Sequence, residues 1–154
     1  MNDNYSFTIQ KYDSKDKENI EKIIHDLILE SKELGWEHFG DFNDFEKYID
    51  NPRNITLVSK VDDYIVGFIL GYPQMYDNSL AICINYVDKQ YRRRGIGSKL
   101  KEELVKEATR LGYDYIQSDV DACNIASVKM NLKANWDIEY FPDYKMYEFK
   151  KRLK

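Results

Sequence analysis

The stretch YRRRGIGSKLKEELVKEA, residues 91–108, places three consecutive arginines beside two glycines, immediately before a helical pattern. The first turn of a helix leaves backbone N–H groups unpaired and carries partial positive charge. Glycines remove side chains that would keep a ligand away from that backbone. The stretch therefore predicts an anion site, for which phosphate or pyrophosphate is the natural ligand. The helix that follows should bury one apolar face, made of Ile96, Leu100, Leu104, Val105, Ala108 and Leu111.

Two well-known phosphate-binding motifs do not fit this stretch. A Walker loop needs a glycine five residues before its Gly-Lys-Ser/Thr, and neither that spacing nor that order is present. The dinucleotide fingerprint G-x-G-x-x-G also fails, because Leu100 occupies the position of the third glycine. Nucleotide hydrolysis and nicotinamide chemistry therefore lose support.

The composition is that of an ordinary globular protein of 154 residues, which we interpret as one domain spanning residues 1–154. The net charge of −4 argues against nucleic acid as the main partner. No signal-peptide pattern is present, and no apolar run approaches the ~18 residues that a membrane span needs. Cys83 and Cys123 are too few for a disulfide scaffold or a structural zinc site. We therefore expect free thiols, no metal and a cytoplasmic location.

Hydrophobic periodicity predicts the order strand, two helices, three strands, helix, strand, helix, two strands. The expected strands are residues 7–11, 55–61, 64–72, 80–87, 113–120, 136–141 and 144–149. Asp13 or Ser14 should cap the first helix, which Gly35 ends. Asn43, with Glu46 three residues later, resembles a capping box at the start of the second helix.

The last helix pattern covers residues 124–134, and we expect its apolar side chains to face the core. These side chains are Ile125, Val128 and Leu132. Asn135 follows the helix, at a position where asparagine tolerates the left-handed conformation. The element order predicts a mixed α/β sheet with helices on both faces.

Two sequence blocks resemble one known family. Arg92-x-x-Gly95-x-Gly97 matches the Q/R-x-x-G-x-G/A signature of the GNAT N-acetyltransferase superfamily. Residues 120–124 and 134–136 resemble the later block of that family, V-x-x-x-N followed by a helix that ends in L-G-F. The spacing between the blocks and the element order also resemble the family. The resemblance implies a mixed, mostly antiparallel central sheet of about seven strands with helices on both faces.

The resemblance also implies acetyl-CoA as co-substrate, without a metal. The pyrophosphate would lie on the amides and side chains of Arg92, Arg93, Arg94, Gly95, Ile96, Gly97 and Ser98. The pantetheine arm would run beside Tyr86 and Val87, at the end of the preceding strand. Asn124 matches the cofactor-contacting asparagine of the family, and it is equally well placed to cap a helix.

The catalytic residues of the family carry over only in part. Relatives often place a carboxylate on the fourth or fifth strand; here the fourth-strand position is Ala81 and the fifth-strand position is Asp119. Asp119 is our candidate base, with a plain surface carboxylate as the alternative. The position of the family's tyrosine acid is Asn131, which can orient the thioester or contact pantetheine but cannot supply a proton. Other possible donors, among which the sequence does not choose, include Tyr86, Tyr140 and Tyr144.

The acceptor side is expected along residues 26–50, which carry eight acidic side chains against two lysines. Glu33, Trp36, Glu37 and Asp41 are the candidate substrate-binding residues. Such a wall favours a cationic amine, and the alternative is a solvated helix face. The resemblance thus implies direct acetyl transfer to an amine in a ternary complex. A non-catalytic acyl-CoA-binding module remains the alternative, nucleic-acid binding is a distant third, and a homodimer is compatible with the sequence.

Overall fold

The computed structural model describes residues 6–35 and 42–154, and its centre is a seven-stranded sheet. The strands are β1 (Thr8–Lys11), β2 (Ile55–Val61), β3 (Tyr64–Pro73), β4 (Ser79–Val87), β5 (Tyr115–Asp121), β6 (Asp137–Phe141) and β7 (Met146–Arg152). Their order across the sheet is β1-β2-β3-β4-β5-β7-β6. Only the β4–β5 pair is parallel among these described strands. The predicted mixed, mostly antiparallel sheet is confirmed.

Four helices cover the two faces of the sheet. They are α1 (Lys17–Glu33), α2 (Phe42–Ile49), α3 (Ile96–Arg110) and α4 (Ile125–Lys133). On one face, the apolar side of α1 and Phe45 of α2 pack on Val58, Phe68 and Leu70. On the other face, α3 packs on β2, β3 and β4, and the partly buried Val128 of α4 packs on the same core, to which β5 and β7 also contribute. Each face therefore has its own core, and the predicted element order is confirmed.

The boundaries of α3 follow from backbone geometry at two glycines. Gly95 precedes the helix and Gly112 follows it, with φ angles of 80° and 86° in the left-handed region that glycine adopts at low cost. Ile96, Leu100, Leu104 and Ala108 are buried, as predicted. The prediction for Leu111 was wrong, because its side chain is 49% exposed. Leu111 is the C-terminal cap of the helix, one turn beyond Ala108, the last buried residue of α3.

The prediction that Ile125, Val128 and Leu132 all face the core was wrong for two of them. Ile125 is 63% exposed and Leu132 is 51% exposed. The buried side of α4 centres on Asn131, which is 1% exposed and lies about 100° around the helix from Leu132. Apolar spacing misplaced this face because a polar side chain occupies the inward position. Asn135 has the predicted left-handed conformation, with φ of 55°.

The start of α1 and the start of α2 differ slightly from the predicted caps. The Asp13 side chain accepts a hydrogen bond from the Lys15 amide and caps a short 3₁₀ turn, Ser14–Asp16, that leads into α1. Helix α2 already begins at Phe42, so Asn43 lies inside the helix instead of capping it. The α1 C-terminus meets Gly35, whose φ of 74° ends the helix as predicted.

The parallel strands β4 and β5 pair over only part of their length. Their described ladder joins Ser79–Ile82 to residues 115–118, although β4 continues to Val87 and β5 to Asp121. The register between β3 and β4 also shifts there, because Gly71 faces Ile82 while Leu70 faces Ile84. Cys83 is the extra residue of this bulge, and a bulge bends its strand. The two strands therefore separate after Ile82 and Ser118, at the end of β4 from which the chain continues to α3.

A buried carboxylate ties α1 to the end of β4. Arg92 donates hydrogen bonds of 2.8 and 2.7 Å to the two carboxylate oxygens of Glu30, and Tyr86 donates a third of 2.8 Å. Arg92 Nε also donates to the Val87 carbonyl at 2.8 Å. The hydrogen bond from Arg92 lowers the pKa of Glu30 although burial opposes this change. This Glu30–Arg92–Tyr86 cluster fixes the loop after β4 against α1.

We expect Glu30→Gln to lower the free energy of unfolding by about 1–2 kcal/mol at pH 7, because a charge-assisted bidentate contact is lost. The native pKa of Glu30 lies below its usual value near 4.5, so its stabilisation is present above that value. It is lost as the pH falls through the lower native value. Urea unfolding between pH 7 and pH 3 should show that the difference in free energy of unfolding between Glu30→Gln and wild type becomes smaller as the pH falls.

Glu102→Gln is the matched control, because Glu102 pairs with Lys99 in an exposed contact on α3. It should leave the free energy of unfolding almost unchanged across the same pH range. A constant gap between Glu30→Gln and wild type down to pH 3 would contradict the assignment.

Candidate functional site

The loop between β4 and α3 presents the start of a helix to solvent. Asp88 accepts a hydrogen bond from the Gln90 amide and caps a short 3₁₀ turn, Lys89–Tyr91. Arg93 and Gly95 then take left-handed conformations, with φ of 63° and 80°. Gly95 makes no side-chain cap to the first turn of α3. Left-handed residues beside helical ones turn successive N–H groups toward one concave side, an arrangement that binds anions.

The three arginines of the loop have different surroundings. Arg92 is held by Glu30 and also lies over the Tyr86 ring, with its guanidinium carbon 5.3 Å from the ring centre. Arg94 stacks on Tyr91 at 5.3 Å and donates to the Gln90 carbonyl at 3.2 Å. Arg93 is exposed at the left-handed corner. The sequence analysis treats all three side chains as anion ligands. The structure shows that Arg92 also connects the loop to α1 through its hydrogen bonds with Glu30.

The first turn of α3 lies against the open side of the sheet. Asn85 on β4 donates a 3.0 Å hydrogen bond to the Gly97 carbonyl and so joins the strand to the helix. A Cβ atom at Gly97 would lie 3.5 Å from the Met130 sulfur and 3.6 Å from Val87 Cγ2. Gly97 therefore leaves a narrow space between β4, α3 and α4. Ile96 points into the core and Ser98 is exposed, so only Ser98 offers a hydroxyl at the surface.

Asn85 was not singled out in the sequence, although one of its atoms faces this space. Its Oδ1 is buried and has no hydrogen-bond partner among the described residues. It would lie 3.9 Å from a Cβ atom at Gly97. A buried acceptor without a partner is costly unless a ligand or water supplies a donor. Asn85 is thus a candidate ligand contact beside the predicted pyrophosphate loop.

The two predicted asparagines of α4 both have partners within the protein. Asn124 caps the helix, accepting a 3.3 Å hydrogen bond from the Ser127 amide. Asn131 Nδ2 donates to the Ser127 carbonyl at 2.8 Å, and Asn131 Oδ1 accepts from Lys101 Nζ. The capping interpretation of Asn124 is confirmed, and contact of either asparagine with a cofactor stays a prediction.

Asp119 lies on the sheet face opposite α3. Its neighbours Ser118 and Val120 are buried, so alternation along β5 turns Asp119 toward the side that carries α1 and α2. The Asp119 side chain is exposed at the surface of that face, and partial loss of hydration there raises its pKa above the usual value of 3.8. Across the strands, Asp119 faces Glu148 and Glu148 faces Glu139. Burial, and then the charge of Asp119, raise the pKa of Glu148 as well.

Tyr72 on β3, separated from β5 by β4, is near enough to Asp119 to be influenced by its charge. Burial raises the pKa of Tyr72, and its neighbours Cys83 and Asp119 raise it further. Tyr72 therefore keeps its hydroxyl proton at neutral pH and can donate a hydrogen bond. No sequence pattern singles out this tyrosine, because it lies in an apolar strand far from Asp119 along the chain.

The predicted acceptor residues are only partly described. Glu33 is at the end of α1, where its carboxylate lies 3.9 Å from Lys89 Nζ. Trp36, Glu37 and Asp41 lie outside the described residues. Of the acidic side chains in residues 26–50, Glu30 is neutralised by Arg92, and Glu46 pairs with Lys17. The candidate proton donors Tyr140 and Tyr144 are 47% and 74% exposed, whereas the Tyr86 hydroxyl is held by Glu30.

The described ranges 6–35 and 42–154 contain neither a candidate metal site nor a helix that could span a membrane. No group of three or more His, Cys, Asp or Glu side chains there could hold a metal ion. In the same ranges, no helix has both the length and the apolar character needed to cross a bilayer. Cys83 and Cys123 are both free thiols, as predicted.

Sequence and structure comparisons identify what the chain resembles. The profile of the acetyltransferase (GNAT) family matches residues 22–135. The protein yncA of Salmonella typhimurium, solved with its cofactor acetyl-CoA, superposes with a TM-score of 0.79 at 17% identity, covering 96% of this chain and 94% of that one. A GNAT-family acetyltransferase of Staphylococcus aureus Mu50 gives 0.77 at 20% identity, covering 97% and 100%.

A third relative is the ribosomal-protein-S18-alanine N-acetyltransferase of Escherichia coli. It superposes with a TM-score of 0.73 at 15% identity, covering 97% of this chain and 95% of that one. At these identities the superpositions establish a shared fold over nearly the whole chain. The family match rests on the sequence of residues 22–135, which includes the loop and the two α4 asparagines.

Proposed function

The chain belongs to the acetyltransferase (GNAT) family, and from that premise we propose that it moves an acetyl group from acetyl-CoA to a primary amine within a ternary complex. The observation that carries the proposal is the open α3 N-terminus beside the parted strands β4 and β5. That arrangement combines anion-binding backbone N–H groups with an unpaired strand edge. A pyrophosphate joined to an extended amide-bearing arm needs both features.

The cofactor arm would lie between β4 and α4. The pyrophosphate would bind the first N–H groups of α3, and the amide groups of pantetheine would bind the backbone near Val87. The unpartnered Asn85 Oδ1 could accept one of the pantetheine N–H groups. Gly97 leaves the space in which the arm would run. Arg93, Arg94 and Ser98 are the side chains best exposed to bind phosphate oxygens.

Asp119 would act as the base that receives a proton from the incoming ammonium, directly or through one water. Its raised pKa makes it a stronger base than an ordinary aspartate, although still far weaker than a free alkylamine. The amine must therefore lose part of its hydration in the site before it transfers the proton. Tyr72 beside Asp119 would donate a hydrogen bond that holds the carboxylate or the attacking nitrogen.

A cationic acceptor is the substrate class that the charges favour. Asp119, Glu148 and Glu139 form a row of carboxylates across β5, β7 and β6. Strands lie about 4.8 Å apart, so the row presents negative charge over roughly 10 Å of open sheet. Glu33, Glu37 and Asp41 are further carboxylates that the sequence assigns to the acceptor region, of which only Glu33 lies among the described residues. An alkylammonium group is attracted to such a surface.

We expect Gly97→Glu to abolish acetyl-CoA binding, because it adds bulk and negative charge beside the pyrophosphate position. Gly97→Gln is the matched control, which adds the same bulk without the charge and should weaken binding less. Gly97→Ala should fold normally, since its Cβ would meet only ordinary contacts. Calorimetry measures the affinity of all three variants for acetyl-CoA. Unchanged affinity in a folded Gly97→Glu variant would show that acetyl-CoA does not bind at this position.

We expect Asp119→Asn to lower kcat by roughly 10²–10⁴-fold, the usual effect of losing a general base, with acetyl-CoA affinity retained. In the wild type, kcat should fall as the pH falls through the raised pKa of Asp119. Asp121→Asn, two residues along the same strand face, is the control. Release of CoA across a panel of primary amines is the measurement, and an Asp119→Asn variant with wild-type kcat and pH profile would place the base elsewhere.

Glu148→Gln should raise the KM of a cationic amine several-fold, because one carboxylate of the row is lost, while acetyl-CoA affinity stays the same. Added salt should raise the wild-type KM in the same direction. Charge reversal at Glu33, Glu37 and Asp41 tests the other side of the predicted wall in the same assay. A KM that responds to none of these changes would argue against a cationic acceptor.

A further inference from the structure

A buried lysine lies between α3 and α4. Lys101 is 5% exposed, its Nζ donates a hydrogen bond to Asn131 Oδ1, and that nitrogen lies 3.8 Å from the centre of the Trp136 ring. Both of these partners are neutral groups. Lysine is almost never buried without a charged partner, because the ammonium loses its hydration. An ammonium buried against an amide and an indole therefore calls for a functional explanation.

The surroundings of Lys101 weaken its hold on its proton. Burial, and then the charge of Lys151, lower the pKa of Lys101 from 10.5 to about 8. The charged side chains that line the same cavity of about 280 Å³ are Glu102 from α3, Lys133 from α4 and Lys151 from β7. Two of these three are cations, which oppose a further positive charge. A lysine of this acidity is protonated at neutral pH and can give its proton to a base of similar strength.

Lys101 binds the residue that stands where the resemblance places a tyrosine acid. Asn131 occupies that position, and its Nδ2 bond to the Ser127 carbonyl turns Oδ1 toward Lys101. An asparagine side chain plus the ammonium that it binds extends roughly 6 Å from the helix backbone. A tyrosine hydroxyl extends about as far. Asparagine has no acidic proton, and the lysine supplies one at about the distance from α4 at which a tyrosine hydroxyl would lie.

Lys101 also lies on the cofactor side of the sheet. It lines the same cavity as Ser98, one turn or about 5 Å along α3 from the predicted pyrophosphate residues. Met130 lines that cavity too, and its sulfur is beside the space left by Gly97. A cofactor arm that passes Gly97 toward the opening between β4 and β5 would run past the Lys101–Asn131 pair.

We propose that Lys101 is the acid that protonates the leaving CoA thiolate, with Asn131 as its positioning residue. The neutral amine nitrogen forms a bond to the acetyl carbon and loses one N–H proton to solvent. The carbon–sulfur bond breaks, and its electron pair goes to sulfur. Sulfur takes a proton from the Lys101 ammonium, and the neutral lysine regains one from water. A cysteine thiol has a pKa of about 8.5, and a simple alkyl thiol is a weaker acid still, so the leaving thiolate is at least as strong a base as the neutral lysine and can take its proton. This inference rests on the proposed acetyl transfer.

The first experiment uses reduced CoA and needs no acceptor amine. The thiol of bound CoA is titrated by the ultraviolet absorbance of its thiolate in wild type, Lys101→Met and Lys106→Met. A nearby ammonium favours the thiolate, so the pKa of the bound thiol should lie about one unit lower in wild type than in Lys101→Met. Lys106 is an exposed residue of α3 paired with Glu103, and its variant should match wild type. Equal thiol pKa values in all three proteins would overturn the proposal.

The second experiment measures kcat against pH with an amine that the wild type acetylates. An acid must be protonated to act, so wild-type kcat should fall as the pH rises through about 8. Lys101→Met should lower kcat by roughly 10²-fold or more and lose this alkaline limb, with acetyl-CoA affinity retained. Adding Asn131→Tyr to Lys101→Met should restore activity, which a purely structural role would not explain. If Lys101→Met does not fold, Lys101→Gln takes its place in both experiments.

The two proposals fail in different ways. If wild type binds acetyl-CoA but releases CoA with no amine, the proposed function is wrong, and the thiol titration still tests Lys101. If wild type acetylates an amine and Lys101→Met keeps both kcat and the alkaline limb, only the assignment of Lys101 is wrong.

Discussion

The candidate site depends on one feature of the sheet: the parallel strands β4 and β5 stop pairing before either strand ends. The described β4–β5 ladder ends at Ile82, and the bulge at Cys83 bends β4 at that point. Backbone donors and acceptors beyond the ladder need other partners, because unpaired buried groups are costly. A ligand with its own amide groups can supply them. The opening therefore explains why the anion-binding loop, Asn85 and α4 all converge on one side of the sheet.

The loop that follows β4 depends on a contact from the other face. Glu30 of α1 binds the guanidinium of Arg92 with both oxygens and also accepts the Tyr86 hydroxyl hydrogen bond. This contact orders the loop before any ligand is present, so less conformational freedom is lost on binding. In the proposed anion site, Arg92 would hold the backbone in place, while the N–H groups of α3 would face the ligand.

Burial shifts the pKa values of two groups toward neutral pH, one from below and one from above. It raises the pKa of Asp119 on the α1 face and lowers the pKa of Lys101 on the α3 face. Groups whose environments shift them in this way are suited to accept and donate protons near neutral pH. Their placement on opposite faces is compatible with an amine that enters from one side and a thioester that enters from the other. The sheet would separate the two proposed proton transfers in space.

The sequence by itself determined the element order, the glycine-bounded start of α3 and the family, because these depend on local spacing. Helix periodicity, the glycines at 95 and 97 and the cap at Asn124 act within a few residues of the chain. The tertiary structure decided the roles of individual side chains. Arg92 meets Glu30 across 62 residues, and Lys101 meets Asn131 across 30. The inward face of α4 was mispredicted for the same reason, since a polar residue is buried only where folding brings it a partner.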